Sequence, residues 1–180
     1  FSFTFNCTML GAKVPAVHYV TPQYWAWAPW RVTAYRGVMD LALTALPFER
    51  AWFDRHDVPT AHVGHPELDA LERITPGLGA GRDLVLLPGS RESVVRRNLP
   101  WMVRVLRRVR ELIGEVPVVL SQEREEIART CAELLGRDAE WIRIEGGGLH
   151  AALAQARAAF SVSGTILVDV LHHRVPAVVI

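Results

Sequence analysis

Leu84-Val85-Leu86-Leu87-Pro88-Gly89-Ser90-Arg91 decides how this chain is read. Leu84 to Leu87 is a short apolar run of strand character, and the Pro-Gly pair after it breaks the extended backbone. Further on, Leu99, Met102, Val103, Leu106, Val109, Leu112 and Ile113 recur at helical spacing, and Asn98 predicts the N-cap of that helix. A strand, a glycine turn and an amphipathic helix in that order make the first part of a βαβ unit, whose parallel sheet is covered on both faces.

The same alternation extends in both directions. Downstream, the pattern predicts strands over 116–120, 141–144 and 158–162. It predicts helices from about Gln122 to Leu135, stopped by Gly136, from Leu149 onward, and from Ser163-Gly164-Thr165 to His172, before a terminal strand over 176–180. Upstream, strands are expected over 15–20, 41–45 and 60–63, with helices over 31–38 and 48–56. Gly64-His65-Pro66 and the breakers Pro76, Gly77, Gly79 and Gly81 suggest a linker, which divides the chain into lobes 1–66 and 67–180.

Composition narrows the class. Half of the 180 residues are hydrophobic, 22% are charged and the net charge is +1, which excludes disorder and gives no electrostatic reason to expect nucleic acid as a partner. Cys7 and Cys131 are too far apart for a paired metal-ligand spacing and read as buried thiols, so no disulfide framework and no metal are expected. No apolar run approaches the ~20 residues of a membrane span. A cytoplasmic setting is the default expectation. The chain opens on Phe1 rather than Met and ends in the apolar run Val178-Val179-Ile180 without a cap. It is therefore expected to be a fragment or a processed piece.

Three loops follow strands and precede helices: Pro88-Gly89-Ser90-Arg91, Glu145-Gly146-Gly147-Gly148 and Ser163-Gly164-Thr165. That places them at the carboxyl edge of a parallel sheet, where open α/β folds bind ligands. Glycine lets backbone N–H groups approach a phosphate, the helix start behind favours an anion, and the Arg91 guanidinium matches phosphate oxygens in pairs. Each loop read alone is also an ordinary βα turn. Asp169, one helical turn after Thr165, suits the two hydroxyls of a ribose or, more plainly, complements the helix dipole. His172 and His173 read as polar residues ending that helix, and His150, beside the glycine run, as a weaker donor to a phosphate or base.

Tyr19, Tyr24, Trp25, Trp27 and Trp30, interrupted by Pro22 and Pro29, read as a packed loop that lines a core or, alternatively, presents a wall to acyl chains or membrane. His18, His62 and His65 lack a third ligand at useful spacing and read as structural. The arginines at 104, 107, 108 and 110 form a basic helix face, read as solvated rather than anion-binding.

Several stretches together resemble one family. His18-Tyr19-Val20-Thr21-Pro22-Gln23-Tyr24-Trp25-Ala26-Trp27, Leu46-Pro47-Phe48-Glu49, Val63-Gly64-His65-Pro66 with Asp69, Leu86-Leu87-Pro88-Gly89-Ser90-Arg91, and Ser163-Gly164-Thr165 with Asp169 occur in the order found in the lipid-A-disaccharide synthases. The resemblance implies a GT-B architecture of two Rossmann-like lobes with parallel sheets, both incomplete in this chain. Lobe 1–66 would face the acceptor and lobe 67–180 the UDP-sugar. The implied reaction joins UDP-2,3-diacylglucosamine to 2,3-diacylglucosamine 1-phosphate in a β-1,6 linkage and releases UDP, with no cofactor. The implied UDP-sugar ligands are Gly89, Ser90, Arg91, Gly146, Gly147, Gly148, Ser163, Gly164, Thr165 and Asp169, with Trp25 and Trp27 on the acceptor or lipid side. A peripheral association with the cytoplasmic face of the inner membrane follows from the same resemblance.

Two departures are visible. Phe1 and Thr4 stand where the family carries carboxylates before Phe5-Asn6, so the expected catalytic acid is absent between Phe1 and Asn6 and the catalytic residue is unknown. The stretch from Asn6 to His18 is also a few residues short. A chain of this kind is expected to be inactive alone. The competing readings are a non-catalytic or divergent UDP-sugar-binding homologue and an unrelated UDP-sugar enzyme of the same fold.

Overall fold

A computed structural model describes residues 15–180 of the chain. They form two compact units, divided between Ala70 and Leu71. Cys7 and the positions of the expected acid lie outside the described residues.

The first unit is built on a three-stranded parallel sheet of order β1-β2-β3, comprising β1 (Val17–Tyr19), β2 (Leu41–Thr44) and β3 (Thr60–His62). Helices α1 (Tyr24–Trp27), α2 (Val32–Arg36), α3 (Pro47–Asp54) and α4 (Pro66–Leu71) connect or follow these strands. The aromatic stretch is thus not wholly a loop: α1 makes one helical turn and a 3₁₀ turn over Pro29–Arg31 follows it. Tyr24, Ala28, Val32, Tyr35, Ala42 and Phe53 close one apolar core. Leu46-Pro47-Phe48-Glu49 has a local reason to exist. Pro47 fixes the dihedral of the first helical residue, and the Glu49 carboxylate reaches back to accept the Leu46 N–H at 2.9 Å, as in one half of a capping box.

The second unit is a five-stranded parallel sheet of order β6-β5-β4-β7-β8. Its strands are β4 (Asp83–Leu87), β5 (Val118–Ser121), β6 (Ile142–Glu145), β7 (Ala156–Ser161) and β8 (Ala177–Val179). Helices α5 (Glu92–Ile113), α6 (Glu125–Leu135), α7 (Leu149–Ala154) and α8 (Ile166–His172) connect them. Successive strands run outward from β4 to β6 on one side, and β7 then starts again on the other side of β4. The strand order therefore reverses between β4 and β7, the switch point at which such sheets open a crevice.

Helix α5 corrects the sequence reading. It begins at Glu92, directly after Arg91, and not at Asn98. Pro100 inside it removes one backbone donor, which disfavours an interior helical position by about 3 kcal/mol. Val95 and Leu99 are fully buried in the same core as Met102, Val103 and Leu106. Burying each such side chain is worth about 1.5–3 kcal/mol, so two together offset the proline and carry the helix back through it. Of the basic face, Arg107 is clamped to Asp138 by two hydrogen bonds of 2.9 and 2.6 Å, while Arg108 and Arg110 pair with Glu111 and Glu115. The Arg107 guanidinium holds the Asp138 carboxyl below its usual range. Cys131 is buried against α5, and its thiol is pushed up to about 11 by desolvation.

The breakers at 77 and 81 are not a free spacer. A Cβ on Gly77 would lie 2.5 Å from the Ala154 Cα, and one on Gly81 1.8 Å from the Gln155 oxygen. Backbone packs on backbone here, within the second unit, which leaves no room for a side chain.

Candidate functional site

Because every strand of the second sheet runs the same way, the loops after β4, β5, β6 and β7 all emerge at its carboxyl edge. At that edge, around the switch point, lies a cleft of about 240 Å³ lined by Leu87, Gly89, Ser90, Gln122, Leu149 and Ile166, among others. Gly89 and Ser90 belong to the predicted loop after β4. Leu149 and Ile166 are the first residues of α7 and α8, directly behind Gly146-Gly147-Gly148 and Ser163-Gly164-Thr165. The structure thus brings all three glycine loops to one edge, with Arg91, Ser163, Gly164 and Thr165 exposed there.

Gly89 has two reasons to be glycine. Its φ is +121°, and a Cβ would fall 2.7 Å from Val94 Cγ1 in the first turn of α5. The chain can turn so tightly from β4 into α5 only without that atom, and the turn sets Ser90 and Arg91 in front of the helix start. Gly164 likewise has a φ of +152°, with open space where its Cβ would stand.

Sequence reasoning missed the loop after β5. Helix α6 starts at Glu125, so Gln122, Glu123 and Arg124 are not helical but line the cleft. The side-chain amide of Gln122 donates to Gly89 O at 3.1 Å, and its backbone N–H donates to Glu145 O at 3.0 Å. Arg124 donates to Ser90 O at 3.2 Å, while a Glu123 carboxylate oxygen accepts the Leu149 N–H at 3.0 Å. This loop therefore ties the β4 loop to the β6 loop and puts a second guanidinium beside Ser90. The signal was present in the acidic pair Glu125-Glu126, which marks a first helical turn three residues later than the apolar spacing alone suggests.

Asp169 sits in the first turn of α8 and is 6% exposed. His150 Nε2 lies 3.8 Å from its Oδ1. The two histidines that end α8 are not a solvated cationic cap. His173 is fully buried and its Nδ1 accepts the Gly77 N–H at 3.0 Å, while His172 Nε2 donates to Ile74 O at 2.8 Å. Burial lowers the His173 pKa below its ordinary value, and the neighbouring His150 and His172 push the same way. The helix dipole favours a cation at this end, but desolvation overrides it because the ring is fully buried.

In the first unit, the Trp25 indole N–H donates to Glu49 Oε1 at 3.0 Å, and its ring packs edge-on against Phe48 at 4.9 Å. Trp25 is thereby part of the framework of the unit. Trp27 and Trp30 are 56% and 70% exposed, and the Arg31 guanidinium lies 5.1 Å from the centre of the Trp27 ring. His62 and His65 make local hydrogen bonds to Thr44 O and from the Glu67 N–H. No helix among the described residues is long and apolar enough to cross a membrane.

Two α/β units on parallel sheets, one wound about a switch point ringed by glycine loops, give a chain of the GT-B type. A family model described as lipid-A-disaccharide synthetase matches residues 4–180, and the chain belongs to that family. It is similar to the lipid-A-disaccharide synthase of Thiobacillus denitrificans, at 34% identity over 98% of this chain and 52% of that protein. Those of Pseudomonas entomophila, at 33% over 99% of this chain and 50% of the relative, and of Escherichia coli O139:H28, at 32% over 97% and 50%, are similar to the same extent. The chain thus spans about half the length of the curated relatives it matches.

Proposed function

We propose that the protein is a hexosyltransferase that joins UDP-2,3-diacylglucosamine to 2,3-diacylglucosamine 1-phosphate, forms the lipid A disaccharide and releases UDP. The observation that carries this reading is the cleft at the β4/β7 switch point, lined by Gly89, Ser90, Gln122 and Arg124, in a chain of this family.

Within it, the residues after Gly89 direct backbone donors at the diphosphate from the start of the 22-residue helix α5. Arg91 and Arg124 supply full positive charge against the charge that develops on the departing UDP. Gly146, Gly147 and Gly148 form a further wall of the nucleotide site. Ser163, Gly164 and Thr165 bring in the start of α8, and Asp169 accepts hydrogen bonds from the ribose hydroxyls. Loss of UDP from the anomeric carbon is thus assisted by arginine and amide donors. The base that takes the acceptor hydroxyl's proton is not assigned to any residue of 15–180.

The first unit takes the acylated glucosamine phosphate. Trp27, exposed and next to the framework residue Trp25, contacts acyl chains or the bilayer edge, and its exposure supports the reading of a protein peripheral to the cytoplasmic face of the inner membrane. Incubating the protein with both acylated substrates, and following UDP release and disaccharide mass, tests the reading. Disaccharide formation that falls at least tenfold in Arg91→Ala supports it. Because the chain is expected to be inactive alone, the contradicting result is folded protein that neither forms product nor binds UDP.

A further inference from the structure

His150 and His173 share a hydrogen bond whose direction is fixed from its buried end. The Gly77 N–H can only donate, so the His173 Nδ1 that accepts it at 3.0 Å carries no proton. Burial of His173 favours the neutral ring, which then bears its proton on Nε2, 3.2 Å from His150 Nδ1. His150 Nδ1 is therefore the acceptor, and a neutral His150 carries its own proton on Nε2. A flip of either ring would break this bond.

The Nε2–H of His150 has no acceptor among the described residues. Asp169 Oδ1, at 3.8 Å, is its charged neighbour but lies too far for a hydrogen bond. The His150 side chain is 37% exposed, so the donor is within reach of a ligand. His150 is the second residue of α7, after Leu149, which lines the cleft, and behind Gly146-Gly147-Gly148. Asp169 stands in the first turn of α8, behind Ser163-Gly164-Thr165. The free N–H thus lies between the starts of the two helices whose loops border the cleft. A carboxylate so close repels a phosphate, so the oxygen that suits this donor is a neutral one.

We infer that His150 is a nucleoside-binding residue that donates from Nε2 to a neutral oxygen of the nucleotide, and that His173 is the positioning residue that holds its ring in the donating tautomer. The inference rests on the nucleotide reading of the cleft. It gives a role to the histidine buried at the end of α8, where a solvated cation would have satisfied the helix.

The test has two parts, both at about pH 8, above the ordinary histidine pKa. In protein labelled with heavy nitrogen at histidine, long-range proton–nitrogen spectra read which ring nitrogen carries the proton. Both His150 and His173 should show it on Nε2, and UDP should move the His150 Nε2 signal. A proton on His150 Nδ1, or a His150 signal that saturating UDP leaves in place, overturns the inference. Calorimetric titration is the second part. His150→Ala should weaken UDP roughly two- to tenfold, as for the loss of one hydrogen bond, and leave the binding of inorganic pyrophosphate unchanged. His150→Gln, whose amide can accept from His173 and still donate, should restore most of the UDP affinity. Equal weakening of UDP and pyrophosphate in His150→Ala, or no weakening of either, overturns the assignment. If Arg91→Ala weakens UDP and His150→Ala does not, only His150 is misassigned. If the folded parent protein does not bind UDP, the nucleotide reading falls and takes His150 with it.

Discussion

The side-chain amide of Gln122 bonds to the backbone oxygen of Gly89 across 3.1 Å, joining two loops that are 33 residues apart in the chain. Gln122 leaves β5 and Gly89 leaves β4, neighbouring strands of the sheet. The bond therefore fixes the spacing of the two loops on one side of the cleft. Gln122→Ala removes it while leaving both strands paired. A hydrogen bond of this kind contributes about 0.5–1.5 kcal/mol to stability, so the melting temperature should fall by the corresponding few degrees, and UDP affinity should fall as well because the spacing of the two loops is no longer fixed. Calorimetric titration checks this.

Gly89→Ala is expected to be more severe. The added methyl meets Val94 Cγ1 at 2.7 Å, and the φ of +121° is strained for any side chain, for a loss of about 1–3 kcal/mol of stability. Val94→Ala in the same chain removes the clash but not the strain, so chemical denaturation should show partial recovery only.

The pH dependence of stability follows from His173. Its pKa in the folded protein lies below the ordinary 6.5, so below that value the unfolded chain binds more protons than the folded one. The contribution of the buried neutral ring is complete above the unfolded pKa and is lost as pH falls through the window beneath it. Asp138 contributes in a separate and lower window, because Arg107 depresses its pKa below 3.8. The melting temperature should therefore decline as pH is taken from neutral down past 6.5, and His173→Gln should flatten that decline.

Trp27 and Trp30 are exposed on the first unit and Trp25 is not free to move. Substituting Trp27 and Trp30 by Ala should reduce sedimentation with anionic vesicles several-fold and leave UDP binding intact. Trp25→Ala should instead lower the melting temperature, because it strips a hydrogen bond from the buried Glu49 carboxylate.

Much of this architecture was legible in the residues, for physical reasons. Strands of a parallel sheet are apolar on both faces, so Leu84 to Leu87 and Val118 to Leu120 stand out as runs, and glycine turns separate them from amphipathic helices. The start of α5 was not legible, because Pro100 and Asn98 imitate a helix beginning while the decisive burial of Val95 is tertiary. Gln122 to Arg124 were hidden because their polarity fits the solvent face of a helix as well as a loop. The role of His173 was illegible for another reason: its partners Gly77 and His150 lie 96 and 23 residues away. The three glycine loops were visible as positions at strand ends, and Asp169 as a position one helical turn beyond the last of them. What they bind is a matter for measurement.

That measurement is a UDP titration of the isotopically labelled protein, followed by amide NMR. The signals of Gly89, Ser90, Gln122, Ser163 and Gly164 should move together along one saturating curve, and Arg91→Ala should shift that curve to higher UDP. Shifts confined to residues 17–63, or none at saturating UDP in folded protein, would contradict a nucleotide site in the cleft.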